Sequence, residues 1–479
     1  MKHTYHKAIA FFLAAVLAVS VLSYGGAASA AGSIYVNDGS GVLGTDIGSA
    51  YAVGGDGSVS VVGDSYAITG DGTVKVGQNL PGGEDDGTTV KVSSNVARIG
   101  LYYYYNNSRD SSLAAANLQN DVGYGYKFGY YDSDRVFHEL ASTNQTKITM
   151  KPTGGGREIS VYITGTDTVI FRHTNSSYNL AVRPVSTGGK AKTWFKGYSY
   201  YGDFEYYRYI DSRMTVINVV NIEDYVKGVV PYEMSSSWPI EALKAQAVCA
   251  RTYYARTYYA RSAGNYSQYG FDVTADNYCQ VYFGTARASA NSDAAVDQTA
   301  GKYVTYNGNL CTTFYFSSDG GATEDCENIF YAALPYCRGV VDTYEQDVPQ
   351  SMNKYKEWTR QYSAAELSAK LNRYGITNLS SITPEYSRMG NVIKLTFTDV
   401  NGNKATVSKD SCYSVIGLPS IRYRVEKTSD NTFVFNGSGW GHNIGMSQWG
   451  AYSMASYHGC SYQQIIKFYF TGVNISTGV

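Results

Sequence analysis

The sequence predicts an α+β fold: a mixed body with short strands around a buried central helix, preceded by small β-rich N-terminal modules. Three observations predict it. Short apolar and tyrosine-rich alternating stretches recur along the chain, as in Val96–Leu101 and several runs between Leu180 and Val220. One long segment, Pro239 to about Arg261, is apolar at helical spacing, with Leu243, Ala247, Ala250 and Tyr254 on one stripe. Many of its other positions are Ala, Val or Cys, which suits a helix covered on most sides. Gly-Asp-Gly and Asp-Gly turns, such as Gly55–Gly57 and Asp71–Gly72, break the first ninety residues into short pieces.

Taken in order, residues 1–30 have the layout of a secretory signal peptide. Lys2 and Lys7 precede an apolar run from Ala8 to Leu22, and Ala28-Ser29-Ala30 offers small residues for cleavage after Ala30. An uncleaved membrane anchor is the competing reading, but the run is short for a spanning helix. The expected location is therefore outside the cell membrane, secreted or in the wall. Residues 31–89 read as short strands or a flexible arm ending in a linker, Leu80–Gly87. Residues 90–155 read as a small α+β accessory module. It holds a strand at Val96–Leu101, a short helix between Ser112 and Gln119, and a strand at Gly123–Tyr131. The main body is expected from 178 to 479.

Within that body, Pro239 is placed at the first turn of the central helix, with Ser236 or Ser237 as its N-cap. Ser363 and Glu366 have capping-box spacing for a helix reaching about Tyr374. Asn401-Gly402 predicts a hairpin between Val392–Phe397 and Lys404–Val407. Two C-terminal helices are expected, from Ser447 to about His458 and from about Tyr462 to Tyr469.

Composition excludes some classes. The formal charge is −1, from 39 basic and 40 acidic residues, so no basic footprint for nucleic acid is present. Tyrosines number 47 against 17 phenylalanines, which suits a wet, sugar-rich surface and equally a Gly- and Ser-rich β protein. The seven cysteines are an odd number, so at least one stays free or pairs outside the chain. Cys326 and Cys337 are the best candidate pair, close in sequence and bracketing a short apolar segment. No CxxC is present, and no His stands at zinc-ligand spacing from a cysteine pair.

Glu233 is the strongest candidate for chemistry. It stands between Pro231 and Pro239, beside Met234 and close to Trp238. A carboxyl group partly desolvated there keeps its proton to higher pH and can donate it to a leaving oxygen. The plain alternative is a glutamate paired at a helix N-terminus.

The stretch EDYVKGVVPYEM, then SWP, then EALKAQAVCARTYYA resembles the stage II sporulation protein D / LytB family. The resemblance continues in TTFYFSSDGGATED (312–325), in GSGWGHNIGMSQWGAYSMA (437–455) and in FYFTGV (468–473), and covers about 178–479. It implies an exported protein that acts on peptidoglycan glycan strands. Sporulation members are lytic transglycosylases that cut between N-acetylmuramate and N-acetylglucosamine, and their catalytic acid maps onto Glu233. The LytB side implies another possibility, an amidase enhancer that binds glycan and stimulates a cell-wall amidase. A structural wall protein is a third reading, suggested by the tyrosine-rich N-terminal modules.

The resemblance implies a groove across the body, and the remaining candidates either line it or play structural parts: buried partners for the helix residues, a tight turn for the 317–324 loop, a backbone contact for His442. Lys244 and Arg251, seven apart, share a face of the central helix, with Gln246 nearly opposite. Ser317, Ser318, Gly320, Gly321, Thr323 and Glu324 match the family's Ser- and Gly-rich loop, with Asp319 as a departure. His442, Ser447 and Gln448 come from the C-terminal motif, where Asn443 stands in the place of a usual Gly. In some relatives the segment matching Asp272–Gly284 contributes to a metal site. Tyr278 stands here where a His ligand is expected, so no metal and no cofactor are expected, and Gln280 and Tyr282 are placed on the groove.

Overall fold

The computed structural model describes residues 85–479 apart from 93, 106–108, 155–157, 175–176, 211, 263–269 and 331. It also gives the backbone of six short strands between residues 33 and 76. The expected signal peptide lies outside the described residues. The chain divides into two units, Met1–Gly82 and Gly83–Val479, and the division falls inside the expected linker.

In the first unit the six strands form one sheet. Neighbouring strands run antiparallel, except that Ser33–Asn37 and Ala50–Val53 pair in parallel.

The second unit is built on a seven-stranded sheet. Its order is Phe137–Thr143, Tyr126–Tyr131, Leu180–Pro184, Asp203–Ile210, Arg213–Asn221, Val96–Tyr102 and Val273–Thr274. Arg213–Asn221 reads RMTVINVVN and is buried at seven consecutive positions, as a strand covered on both faces must be. A six-stranded sheet, which includes Ala116–Asn120 and Lys147–Pro152, packs beside it. The strand Val96–Tyr102, expected in a separate accessory module, thus lies inside the sheet of the main body. The boundary expected between 155 and 178 does not divide the fold. The short helix expected between Ser112 and Gln119 is instead the strand Ala116–Asn120. Its residues alternate buried and exposed, a period of two that a helix would not bury.

Helices follow the sheet directly. Helix α1, Ile222–Glu233, is capped by Asn221, whose side chain accepts from Glu223 N. Glu223 and Asp224 occupy its first turn, where negative charge is favoured. Pro231 lies in its last turn and the helix stops two residues later. Gly228 lets α1 approach closely, because a Cβ there would fall 2.3 Å from the Tyr282 ring.

Helix α2, Ile240–Ser262, is the expected buried central helix. Leu243, Ala247, Val248, Cys249 and Ala250 have no exposed surface. Pro239 precedes its first helical residue and its carbonyl accepts from Leu243 N. The serines before it do not cap: Ser236 donates to Arg287 O, and Ser235 and Ser237 bond each other.

Around α2 pack helix α3 (Ala290–Gln298), helix α5 (Gln448–Tyr457), helix α6 (Tyr462–Tyr469) and the strand Lys302–Tyr306. Helix α4 (Ala364–Leu371) carries the expected Ser363–Glu366 capping box. The hairpin Val392–Asp399 to Lys404–Ser408 and both C-terminal helices also stand where the sequence placed them. The C-terminal strand Asn474–Gly478 pairs with both Lys302–Tyr306 and Thr89–Val90. No helix among the described residues is long and apolar enough to cross a membrane.

Candidate active site

Glu233 is the last residue of α1, and three other chain segments converge on it. Ser447 caps α5 by accepting from Gly450 N, which sets Gln448 at the start of that helix. Gln448 Nε2 then reaches Glu233 Oε2 at 3.3 Å and Gln246 Oε1, on α2, at 3.4 Å. Tyr315, on a two-residue strand paired in parallel with Met446–Ser447, donates its hydroxyl to the same carboxyl, and the backbone N–H of Val281 does likewise. Behind Tyr315, Gln280 Nε2 donates to its hydroxyl at 2.9 Å, and Gln280 Oε1 accepts from Tyr225 at 3.1 Å.

Glu233 is half-buried as a residue, but its carboxyl is surrounded by protein on almost every side. Burial pushes its pKa up to about 7, against the opposing pull of hydrogen bonds from Gln448, Val281 and Tyr315. Its place at the C-terminal end of α1 acts in the same direction as burial, since that end of a helix disfavours negative charge. The partners that touch the carboxyl are amide, phenol and backbone groups, and none is a second carboxylate. Trp238, five residues after Glu233, Trp449, which follows Gln448, and Tyr452 form an aromatic cluster, with Trp238 and Trp449 ring centroids 4.6 Å apart.

The structure brings Gln246, Gln280 and Gln448 together with Glu233, and places the other sequence-derived candidates elsewhere. Arg251 has no exposed surface and its guanidinium is bound to Glu223 at 2.6 Å, tying α2 to α1. It does not reach a groove, because an arginine inside an apolar helix bundle needs its counter-ion at hand. Lys244 pairs with Glu241 at 2.6 Å, within its own helix. Tyr282 is buried and donates to Asn218 Oδ1.

The loop 317–324 is held from within. Ser317 O accepts from Trp449 N, Ser318 donates to Glu345, and Gly321 N donates to Asp319 Oδ1. Gly320 adopts φ +66° against Ser438, a conformation that favours glycine. Thr323 Oγ1 accepts from Val340 N, and Glu324, with no exposed surface, takes hydrogen bonds from Asn328, Ser387 and Asn391. These side chains build the loop instead of presenting hydroxyls to a ligand.

His442 is packed against Phe314, Phe316 and Phe330. Burial pulls its pKa down to about 4, so the ring is neutral at ordinary pH. Its Nδ1 accepts from Ile444 N at 3.1 Å, which leaves Nε2–H to bond the Tyr315 carbonyl. The histidine thus holds Tyr315 in place, one residue removed from the carboxyl. Asn443 takes φ +60°, which asparagine tolerates, and its amide donates to Asp319 O and Ala322 O.

Sequence reading missed Tyr315 and the buried group Asp319, Asp342 and Glu345. Tyr315 lies in an apolar strand motif where one ring looks like any other. The three carboxyls bring oxygens within 4.8 Å of one another. Glu345 accepts from Ser318, Ser447 and the backbone of Asp319 and Gly320, and Asp342 from Tyr469, Tyr344 N and Glu345 N. Asp319 Oδ2 has no donor, and Asp342 is its side-chain neighbour. Burial and the nearby Glu345 and Asp342 charges raise the Asp319 pKa well above its ordinary value. A proton on Asp319, shared with Asp342, accounts for the arrangement. Asp342 and Glu345 already use most of their lone pairs to accept hydrogen bonds.

The metal-binding stretch of some relatives does not fit a metal here. Asp272 is engaged by Arg135 and Tyr254, Asp276 by Tyr103 and Thr274, and Tyr278 is exposed. Cys279 is the one soft donor in that segment.

Comparison with known proteins places the chain among named relatives. The family profile described as "Stage II sporulation protein" matches residues 210–306, which hold α1, α2 and Glu233. An uncharacterised protein of Brachyspira hyodysenteriae is 35% identical, over 74% of this chain and 86% of its own length. Stage II sporulation protein D of Bacillus subtilis is 31% identical, over 54% of this chain and 75% of that protein. The amidase enhancer of Bacillus subtilis is 30% identical, over 53% of this chain but 40% of its own length. The chain belongs to the stage II sporulation protein D / LytB family, and a cell-wall-related role comes with that membership.

Proposed function

We propose that this protein is an exported peptidoglycan lytic transglycosylase with Glu233 as its single acid–base group. The observation that carries the reading is the Glu233 carboxyl, pushed up to about 7 and served only by neutral donors. A carboxyl with that pKa keeps a substantial protonated fraction near neutral pH and can give its proton to the glycosidic oxygen. The developing positive charge at the anomeric carbon is then met by the sugar's own C6 hydroxyl. Glutamate 233 takes the C6 hydroxyl proton back, and the product is a 1,6-anhydro sugar. Gln448, Tyr315 and the Val281 N–H stabilise the carboxylate between the two proton transfers. Ordinary glycosidases need a second carboxyl as base or nucleophile. Intramolecular attack removes that need, which suits a carboxyl with amide and phenol neighbours. The half-exposed Trp238 and Trp449 offer apolar faces for sugar rings next to the acid.

Incubation with purified glycan strands, with and without stem peptides, tests the proposal by mass spectrometry for 1,6-anhydro ends. Glu233→Gln keeps the Gln448 contact possible and is expected to lower their formation about 10²–10⁴-fold. The similarity to the amidase enhancer favours a second reading, binding of glycan and stimulation of a wall amidase. Unchanged glycan together with faster cleavage by an added amidase would support that reading and remove the first.

A further inference from the structure

We infer that Cys326 and Cys337 are joined by a disulfide in the exported protein, an intrachain staple on the loop behind the candidate site. The inference rests on the export reading above, not on the transglycosylase reaction. The two residues are eleven apart in sequence, and the fold closes that segment on itself. Cys326 N donates to Cys337 O at 3.2 Å, and the two thiols are hydrogen-bonded to each other. Each residue is only 1% exposed. Both are thiols in this structure, as are the other five cysteines. Two cysteines joined by a backbone hydrogen bond, with their thiols also in hydrogen-bond contact, stand within the range a disulfide requires.

The chemistry needs an oxidant, a disulfide-bearing thiol oxidase or a small disulfide of the extracellular medium. The Cys326 thiolate attacks one sulfur of that disulfide and expels the other as a thiolate. The Cys337 thiolate then attacks Cys326 Sγ in the mixed disulfide and displaces the second sulfur. The two thiol protons and two electrons end on the oxidant's two sulfurs, which leave as thiols. The Cys326 thiol is suited to begin, since the hydrogen bond from Cys337 holds it below its ordinary range. Burial of both sulfurs places the reaction during folding and shields the product from reductants afterwards.

The stapled segment bears on the site. Phe330, inside it, packs with ring centroids 4.7 Å from Phe314 and 5.2 Å from His442. His442 in turn holds Tyr315 against Glu233. Arg338, next to Cys337, pairs with Asp325 and Glu327 on either side of Cys326. The staple therefore braces the wall that positions Tyr315.

The test is alkylation of the secreted full-length protein in denaturant, with and without prior reduction, followed by peptide mapping. The expected result is two fewer alkyl groups without reduction than the seven taken up after it, and a cross-linked peptide pair containing Cys326 and Cys337. Full alkylation without reduction, or a cross-link to any other cysteine, overturns the inference. Cys326→Ser, Cys337→Ser and the double variant are expected to lower the melting temperature equally, because each breaks the same bond. Reductant added during unfolding should lower the wild type to their level and leave the variants where they are. Should the variants fail to fold, the mapping of the wild-type protein still decides the matter, and it does so whether or not anhydro products are ever found.

Discussion

Two carboxyls with raised pKa show how a single residue's surroundings set its role. Glu233 has an ordinary value of 4.5 and a folded value of about 7. The folded state thus binds the proton more tightly than the unfolded chain, and stability falls as pH rises from about 4.5 to about 7. Glu233→Gln removes that dependence. Its stability should match the wild type near pH 4 and exceed it by about 3 kcal/mol above pH 8, read from urea midpoints at the two values. The rate of anhydro-sugar formation should fall as pH rises through about 7, when the acid loses its proton; an alkaline limb that stays in place when Glu233 is changed would assign the ionisation elsewhere. Asp319 follows the same sign. Its folded value lies well above 3.8, so its charge-free form is favoured and the site destabilises the protein as pH rises above that point. Asn in its place keeps an acceptor for Gly321 N and supplies a permanent donor to Asp342. Asp319→Asn is therefore expected to melt higher than the wild type at pH 8 and no higher near pH 4, and a lower melting point at pH 8 would refute the shared proton.

At the scale of elements, the helices were legible and their neighbours less so. α2 announced itself by apolar residues at helical spacing and by Pro239 ahead of it, and α4 by its Ser363–Glu366 capping box, which are local properties. α1 did not, because EDYVKGVVP carries Gly, Pro and β-branched residues that local propensity assigns to strand or loop. Packing decides it: Gly228 is needed for contact with Tyr282, and Glu223 for Arg251. The candidate site was legible to the same degree. Glu233, Gln246, Gln280 and Gln448 lie in motifs and meet in space. Arg251 lies in the same motif and turns inward, and no spacing rule tells which side of an all-buried helix carries the ion pair. That pair makes a prediction about the α1–α2 joint. Arg251→Ala strands Glu223 in a half-buried position and should cost about 3–5 kcal/mol by denaturant unfolding. Glu223→Gln with Arg251→Met together should recover part of that loss. A cost below about 1 kcal/mol would place the pair with ordinary surface bridges.

The whole second unit depends on pairings between residues far apart in sequence, which is why its limits could not be read from composition. Val96–Tyr102 is hydrogen-bonded between Arg213–Asn221 and Val273–Thr274, more than a hundred residues away. Asp272 accepts from Arg98 N and pairs with Arg135, so residues expected in an accessory module complete the sheet beneath α1 and α2. Thr89–Val90 then adds a strand to Asn474–Gly478 and joins the two ends of the unit. Two truncations separate these accounts. A chain of residues 83–479 keeps every one of these pairings and should fold with a single cooperative transition at the wild-type midpoint of its own unit. A chain of residues 178–479 leaves Arg213–Asn221 with an unpaired edge and exposes the apolar faces of Val216, Ile217 and Val219, which are buried in the intact sheet. Exposed strand edges of that kind pair with other chains, so this shorter piece should aggregate or lack a melting transition. Should it instead fold and yield anhydro sugars, the segment before 178 would be an accessory to the catalytic body after all, and the pairing of Val96–Tyr102 would be dispensable to the geometry around Glu233.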